Sequence, residues 1–142
     1  MIINGPNLNF LGIREPDVYG KQSLDDLKVL TEKKLLDRGV KLTWVQSNVE
    51  GEIVNFLQQA FHEKFDGVVL NPGAYAHTSV AIHDAIKSIS LPVVEVHLSN
   101  TNQREDFRST KITAKACVAV LEGLGQSAYT MGVLTLIERK GS

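Results

Sequence analysis

Two stretches of this sequence carry residue types that can move a proton. Arg14 and Tyr19 lie five positions apart in Arg-Glu-Pro-Asp-Val-Tyr-Gly. A phenol with a pKa of about 10 is a weak base at neutral pH unless a cation stabilises its phenolate. A guanidinium does so without accepting the proton, so the pair can act as an activated base; a packed tyrosine beside a solvated arginine fits the same spacing. The second stretch, Pro-Val-Val-Glu-Val-His-Leu-Ser-Asn, runs from Pro92 to Asn100. Strand periodicity puts Glu95, His97 and Ser99 on one side. A carboxylate there orients the imidazole and makes it a better proton donor; a histidine hydrogen-bonded at a sheet edge is the plainer alternative.

Other polar residues fall where apolar segments end: Asn7 in Asn-Gly-Pro-Asn, then Asn71 in Asn71-Pro-Gly-Ala-Tyr-Ala-His77-Thr-Ser79. Amides and an imidazole meeting in one crevice suit a hydroxylated, oxygen-rich small molecule, although Asn and Gly also simply make turns. Backbone N–H groups near Thr78 and Ser79 can favour an anion at the start of a helix or serve only its capping. His83 and Asp84 follow on that helix, and His62 reads as a surface histidine. Arg104 and Arg108, four apart, can share one helical face and point at a carboxylate or at Tyr19, or belong to a solvated turn. The histidines show no zinc-ligand spacing, so no metal is expected.

The elements that must position these groups alternate along the chain. Strand candidates are Met1–Ile3, Lys41–Gln46, Gly67–Leu70, Val93–Val96 and Ala116–Leu121, short and rich in Val, Ile and Leu, as in parallel strands covered on both faces. Helical patterns run from an N-cap at Ser23 to a stop at Gly39, over Glu50–Phe65, from near Thr78 towards Pro92, and over Ser127–Arg139. Alternating βα units predict an α/β, flavodoxin-like three-layer sandwich with a five-stranded parallel sheet in the order 2-1-3-4-5. Ligands of such sheets bind beyond the carboxyl ends of the strands where the order reverses, which brings Asn7, Asn71 and His97 together. The connection Asn4–Gln22 is far longer than the usual βα loop and reads as a lid or binding loop.

The chain's 142 residues predict a single domain over 1–142. With 15 Lys+Arg against 16 Asp+Glu, nothing argues for nucleic acid or an anionic membrane as partner. No apolar stretch reaches the roughly 18 residues of a membrane span, and no basic-then-apolar leader is evident. The single cysteine, Cys117, supports no disulfide framework and favours a reducing, cytoplasmic setting.

These stretches together resemble type II dehydroquinase. The resemblance rests on NGPNLNFLGIREPDVYG at Asn4–Gly20, QSNVEGEIVNFLQQA at Gln46–Ala60, LNPGAYAHTSVAIHDAI at Leu70–Ile86, PVVEVHLSN at Pro92–Asn100 and REDFR at Arg104–Arg108. It implies dehydration of 3-dehydroquinate to 3-dehydroshikimate, a step of the shikimate pathway of aromatic amino acid biosynthesis, with no cofactor and no lysine Schiff base. By that resemblance Tyr19 is the base at C2, aided by Arg14 and Arg108. Asn7 holds a water at the enolate, and His97, paired with Glu95, is the acid. Asn71 with the N–H groups of Leu98 and Ser99 takes the substrate carboxylate, and His77 and Arg108 hold ring hydroxyls. Asp84 reaches a neighbouring subunit's site within a homo-oligomer, a dodecamer built of trimers. The chain departs from the family at Asn102, where many members carry histidine, and over Ser109–Ala114. Loss of a proton alpha to a ketone needs a strong base and a stabilised oxyanion, and departure of hydroxide needs an acid on another element, the division these residues supply. The rival is a flavodoxin-like ligand-binding or signalling module without catalysis. Against it, Pro6 removes an N–H that a phosphate loop would use, and Asn4 and Asn71 stand where a phospho-receiver needs acids.

Overall fold

The structure, a computed structural model, describes residues 1–142 except the side chain of Tyr19. Five strands, β1 (Ile2–Asn4), β2 (Trp44–Gln46), β3 (Val68–Asn71), β4 (Val93–His97) and β5 (Ala119–Glu122), form one parallel sheet in the order β2-β1-β3-β4-β5. The helices are α1 (Pro16–Tyr19), α2 (Leu24–Lys34), α3 (Glu50–His62), α4 (Val80–Ser88) and α5 (Ala128–Lys140), with short 3₁₀ turns between elements. This is the expected flavodoxin-like α/β sheet.

Alternation along the strands divides the core in two. Ile3, Val68, Leu70 and Val93 pack with Ile53, Leu57, Ile82 and Ile86 of α3 and α4. Ile2, Val69, Val94 and Val96 point the other way, onto Leu27 of α2 and Tyr129 and Val133 of α5. Ile53, Leu57 and Ile82 are fully buried, and burial of each such side chain is worth about 1.5–3 kcal/mol. Gly132 lets α5 lie close on the sheet, since a Cβ there would meet Val69 Cγ1 at 2.9 Å.

Register aligns the site-bearing ends. Asn4 is level with Asn71 and with Gln46, and His97 with Glu122. Beyond β1, Gly5 presses on the loop after β3, where a Cβ would meet the Pro72 carbonyl oxygen at 2.5 Å. The first and third loops are thereby locked side by side.

Several boundaries differ from the sequence-based expectation. Of the two candidate caps, Ser79 is the one that caps α4, accepting from the Ile82 N–H at 2.9 Å. Strand β5 begins at Ala119, because Thr113–Ala116 form a 3₁₀ turn. The expected Ser23 cap is present as a capping box with Asp26, but α2 ends at Lys34, and Gly39 (φ 65°) closes the separate 3₁₀ turn Leu36–Arg38 instead. Arg104 and Arg108 do not share a helix: Arg104 ends one 3₁₀ turn and Arg108 lies in the next.

Candidate functional site

A crevice of about 540 Å³, including its open mouth, lies beyond the carboxyl ends of β1, β3 and β4. Asn7, Arg14, Asn71, His77, His97, Leu98, Ser99 and Arg108 line it, as do Thr101 and Arg104. Among the described residues the lining carries three arginines and two histidines but no carboxylate and no lysine. Such a wall favours an anionic, oxygen-rich ligand.

His97 closes the end of β4 with its Nε2 2.8 Å from Oε2 of Glu95. Both side chains are buried, Glu95 completely. The other carboxylate oxygen, Oε1, accepts from the Thr113 hydroxyl. Because the carboxylate engages Nε2, Nδ1 is the ring nitrogen left for a ligand. His77 stacks on His97 with centroids 6.3 Å apart. Its Nδ1 lies 2.7 Å from the Thr110 carbonyl oxygen, which can only accept, so Nδ1 carries the proton and Nε2 is an acceptor when the ring is neutral. Burial is the main cause that lowers the His77 pKa, and Lys111, His97 and Arg108 add to it against the opposing Thr110 bond.

Behind the crevice a buried chain of hydrogen bonds joins β1, β3 and α5. The Tyr129 hydroxyl donates to Asn4 Oδ1 and accepts from Asn71 Nδ2 at 3.1 Å. Burial pushes the Tyr129 pKa well up, which keeps the hydroxyl neutral and able to do both. Asn71 Oδ1 accepts from the Gly73 N–H at 3.2 Å. One Nδ2 proton of Asn71 is then left for a ligand.

The long first loop enters through Asn7 and Glu15, both in left-handed backbone conformation (φ 68° and 42°). Asn7 is fastened by its N–H to Asn48 Oδ1 at 3.0 Å. Arg14 and Arg104 both meet Glu15 Oε2, at 3.2 and 3.7 Å. Arg108 grips Glu105 through two N–H groups at 3.2 and 3.3 Å, and Arg104 lies 3.5 Å from the same carboxylate. With the Arg104 and Arg108 side chains only 11% exposed, these pairs fix where the guanidinium planes point.

The structure thus brings Asn7, Arg14, Asn71, His77, His97, Leu98, Ser99 and Arg108 together as expected, with Glu95 behind His97. The carbonyls of Leu98 and Ser99 accept from Gly125 and Gly123 at 3.0 and 3.2 Å, holding this turn against the end of β5. Tyr19 belongs to α1, and its side chain lies outside the described residues. Asp84 does not line the crevice of its own chain; its exposed carboxylate lies 3.1 Å from His83 Nδ1. The N–H groups of Thr78 and Ser79 both turn back to the Tyr75 carbonyl, at 3.2 and 2.9 Å, so they offer no anion site. Nothing local in the sequence marks Thr101 or Thr113 as part of the site. Only Tyr129 left a trace, as a tyrosine on the apolar face of a helix.

The family model described as dehydroquinase class II matches residues 1–137. A 3-dehydroquinate dehydratase of Fusobacterium nucleatum is 55% identical over 142 residues, covering 97% of this chain and 95% of the relative. One from Clostridium acetobutylicum is 50% identical over 136 residues, covering 96% and 94%. The crystal structure of a type II dehydroquinase from Butyrivibrio crossotus superposes with a TM-score of 0.93 at 42% identity, covering 96% of this chain and 94% of that one. The chain belongs to the class II dehydroquinase family.

Proposed function

We propose that this chain is a hydro-lyase that dehydrates 3-dehydroquinate to 3-dehydroshikimate through an enolate, without a cofactor. The observation that carries the reading is the buried Glu95–His97 pair at the floor of a crevice walled by three guanidiniums. The phenolate of Tyr19, stabilised by Arg14, removes the proton from C2. The electron pair moves onto the ketone oxygen, where a water held by Asn7 donates to it. The enolate then expels the C1 hydroxyl as His97 protonates it, so water leaves and the enone is conjugated. Glu95 stabilises the imidazolium form of His97 beforehand. The remaining amide proton of Asn71, with the N–H groups of Leu98 and Ser99, takes the substrate carboxylate. His77 Nε2 accepts from a ring hydroxyl and Arg108 donates to one.

Residues 1–137, covered by the family model, take in every one of these groups, which supports a single catalytic domain over 1–142. We assign the reaction to aromatic biosynthesis in the cytoplasm. By its resemblance to the family we also propose a homo-oligomer, a dodecamer built of trimers. The exposed Asp84 on α4, beside Val80 at 59% exposed, suits a contribution to a neighbouring subunit's site. Ultraviolet absorbance of the conjugated enone tests the activity: product must accumulate from 3-dehydroquinate with purified protein, and its absence from folded protein would overturn the assignment.

A further inference from the structure

Glu95 is a carboxylate in an apolar setting. Alternation along β4 puts it on the same face of the sheet as Val93, towards α3 and α4, and it is completely buried. A charge so enclosed is costly unless its oxygens accept hydrogen bonds. Oε2 meets His97 Nε2 at 2.8 Å, and Oε1 accepts from the Thr113 hydroxyl. None of the steps proposed above uses that second bond.

Thr113 reaches Glu95 from outside the strand. It begins the 3₁₀ turn Thr113–Ala116 and is itself completely buried. Its carbonyl oxygen accepts from Cys117 Sγ at 3.4 Å. The residues before it are tied to the loop after β3: the Ile112 N–H donates to the Ala76 carbonyl at 2.9 Å, and His77 Nδ1 lies 2.7 Å from the Thr110 carbonyl oxygen. The hydroxyl is thereby fixed on an element separate from β4, 18 residues from Glu95 in sequence. The last torsion of a glutamate has a broad, roughly two-fold profile, so one bond to His97 leaves the carboxylate plane loosely set. A second bond from a fixed donor sets that plane, and hydrogen bonds to the charged form favour it.

We propose that Thr113 is a positioning residue for the His97 acid: its hydroxyl holds Glu95 charged and turned so that Oε2 stays on Nε2. The inference rests on the acid role given to His97 above. Thr113 does not line the crevice and acts only through Glu95. Without the hydroxyl, a buried carboxylate oxygen is left bare, and the imidazolium form of His97 loses part of its support.

The test compares Thr113→Val, which keeps the shape and removes the donor, with Thr113→Ser, which keeps the donor. In Thr113→Val, kcat for 3-dehydroquinate should fall roughly tenfold or more, the worth of a hydrogen bond to a charged group, with KM little changed. The alkaline limb of the kcat–pH profile, where the acid loses its proton, should move to lower pH. Thr113→Ser should restore both kcat and the limb. Other ionisable groups surround the pair: His77, stacked on His97; Glu122 of β5, level with His97 and paired with Lys111; and Arg14, Arg104 and Arg108 in the crevice wall. Behind Thr113 is Cys117, whose thiol is pushed up to about 12 by burial and then by the Glu95 charge. The substitution removes none of these, so movement of the limb reports on Glu95. Thr113→Ala sets no methyl against the carboxylate and gives the same reading if the valine variant does not fold. A hydroxyl with only a structural role would lower thermal stability and leave kcat and the limb in place, and that result overturns the proposal. His97→Ala separates the two readings. Turnover retained there removes the acid role itself, whereas turnover lost there but unchanged in Thr113→Val removes only the role of Thr113.

Discussion

His97 and Glu95, two residues apart on β4, face the same way and meet at 2.8 Å, with the carboxylate fully buried and its second oxygen taken by Thr113. A carboxylate so placed fixes the orientation of the imidazole, which suits the acid role proposed for His97. Glu95→Gln keeps an acceptor oxygen of similar shape but removes the charge. Turnover should fall roughly 10²-fold, within the range of lost acid catalysis, while substrate affinity changes little. Steady-state kcat and KM measured side by side check this; unchanged kcat would remove Glu95 from the acid pair.

Tyr129 has its hydroxyl between Asn4 and Asn71, all three buried. Tyr129→Phe leaves an acceptor on Asn4 and a donor on Asn71 without their partner, a loss of about 1–3 kcal/mol for each group so stranded. Urea unfolding should show the destabilisation. KM should also rise, because the Asn71 amide is no longer oriented.

The depressed pKa of His77 has a consequence for stability. The unfolded chain binds a proton there near the ordinary imidazole value of about 6.5, while the folded chain resists until a lower pH. Stability is therefore fully present above that value and is lost as pH falls from it through the folded pKa. Urea midpoints measured from pH 7 downward should fall in wild type and fall less steeply in His77→Gln over this window. Equal slopes would contradict the assigned cause.

No lysine lines the crevice among the described residues. Borohydride added with substrate should therefore leave activity intact and add no mass to the protein. Mass spectrometry of the treated chain decides the matter; a reduced adduct on a lysine would call for a Schiff-base route.

The sheet was legible because its three central strands are buried on both faces and are followed by Asn, Gly, Pro and His rather than apolar residues. Asn7, Asn71 and His97 follow from strand order alone. Local competition set the rest. Between Thr78 and Ser79, both open as caps in the sequence, the choice falls to Ser79 because its oxygen reaches the Ile82 N–H. Arg104 and Arg108 kept their place in the crevice without the helix that their spacing suggested, held instead by Glu15 and Glu105. Thr101, Thr113 and Tyr129 depend on pairings 18 to 125 residues apart in sequence, and no local pattern announces those.

The proposed reaction depends most directly on Tyr19 as its base. Its test is the rate of enone formation by Tyr19→Phe, with binding of 3-dehydroquinate followed separately by calorimetry. Loss of a general base costs roughly 10²–10⁴-fold, so turnover should fall at least that far while substrate still binds. Turnover near the wild-type rate in this variant would contradict the account.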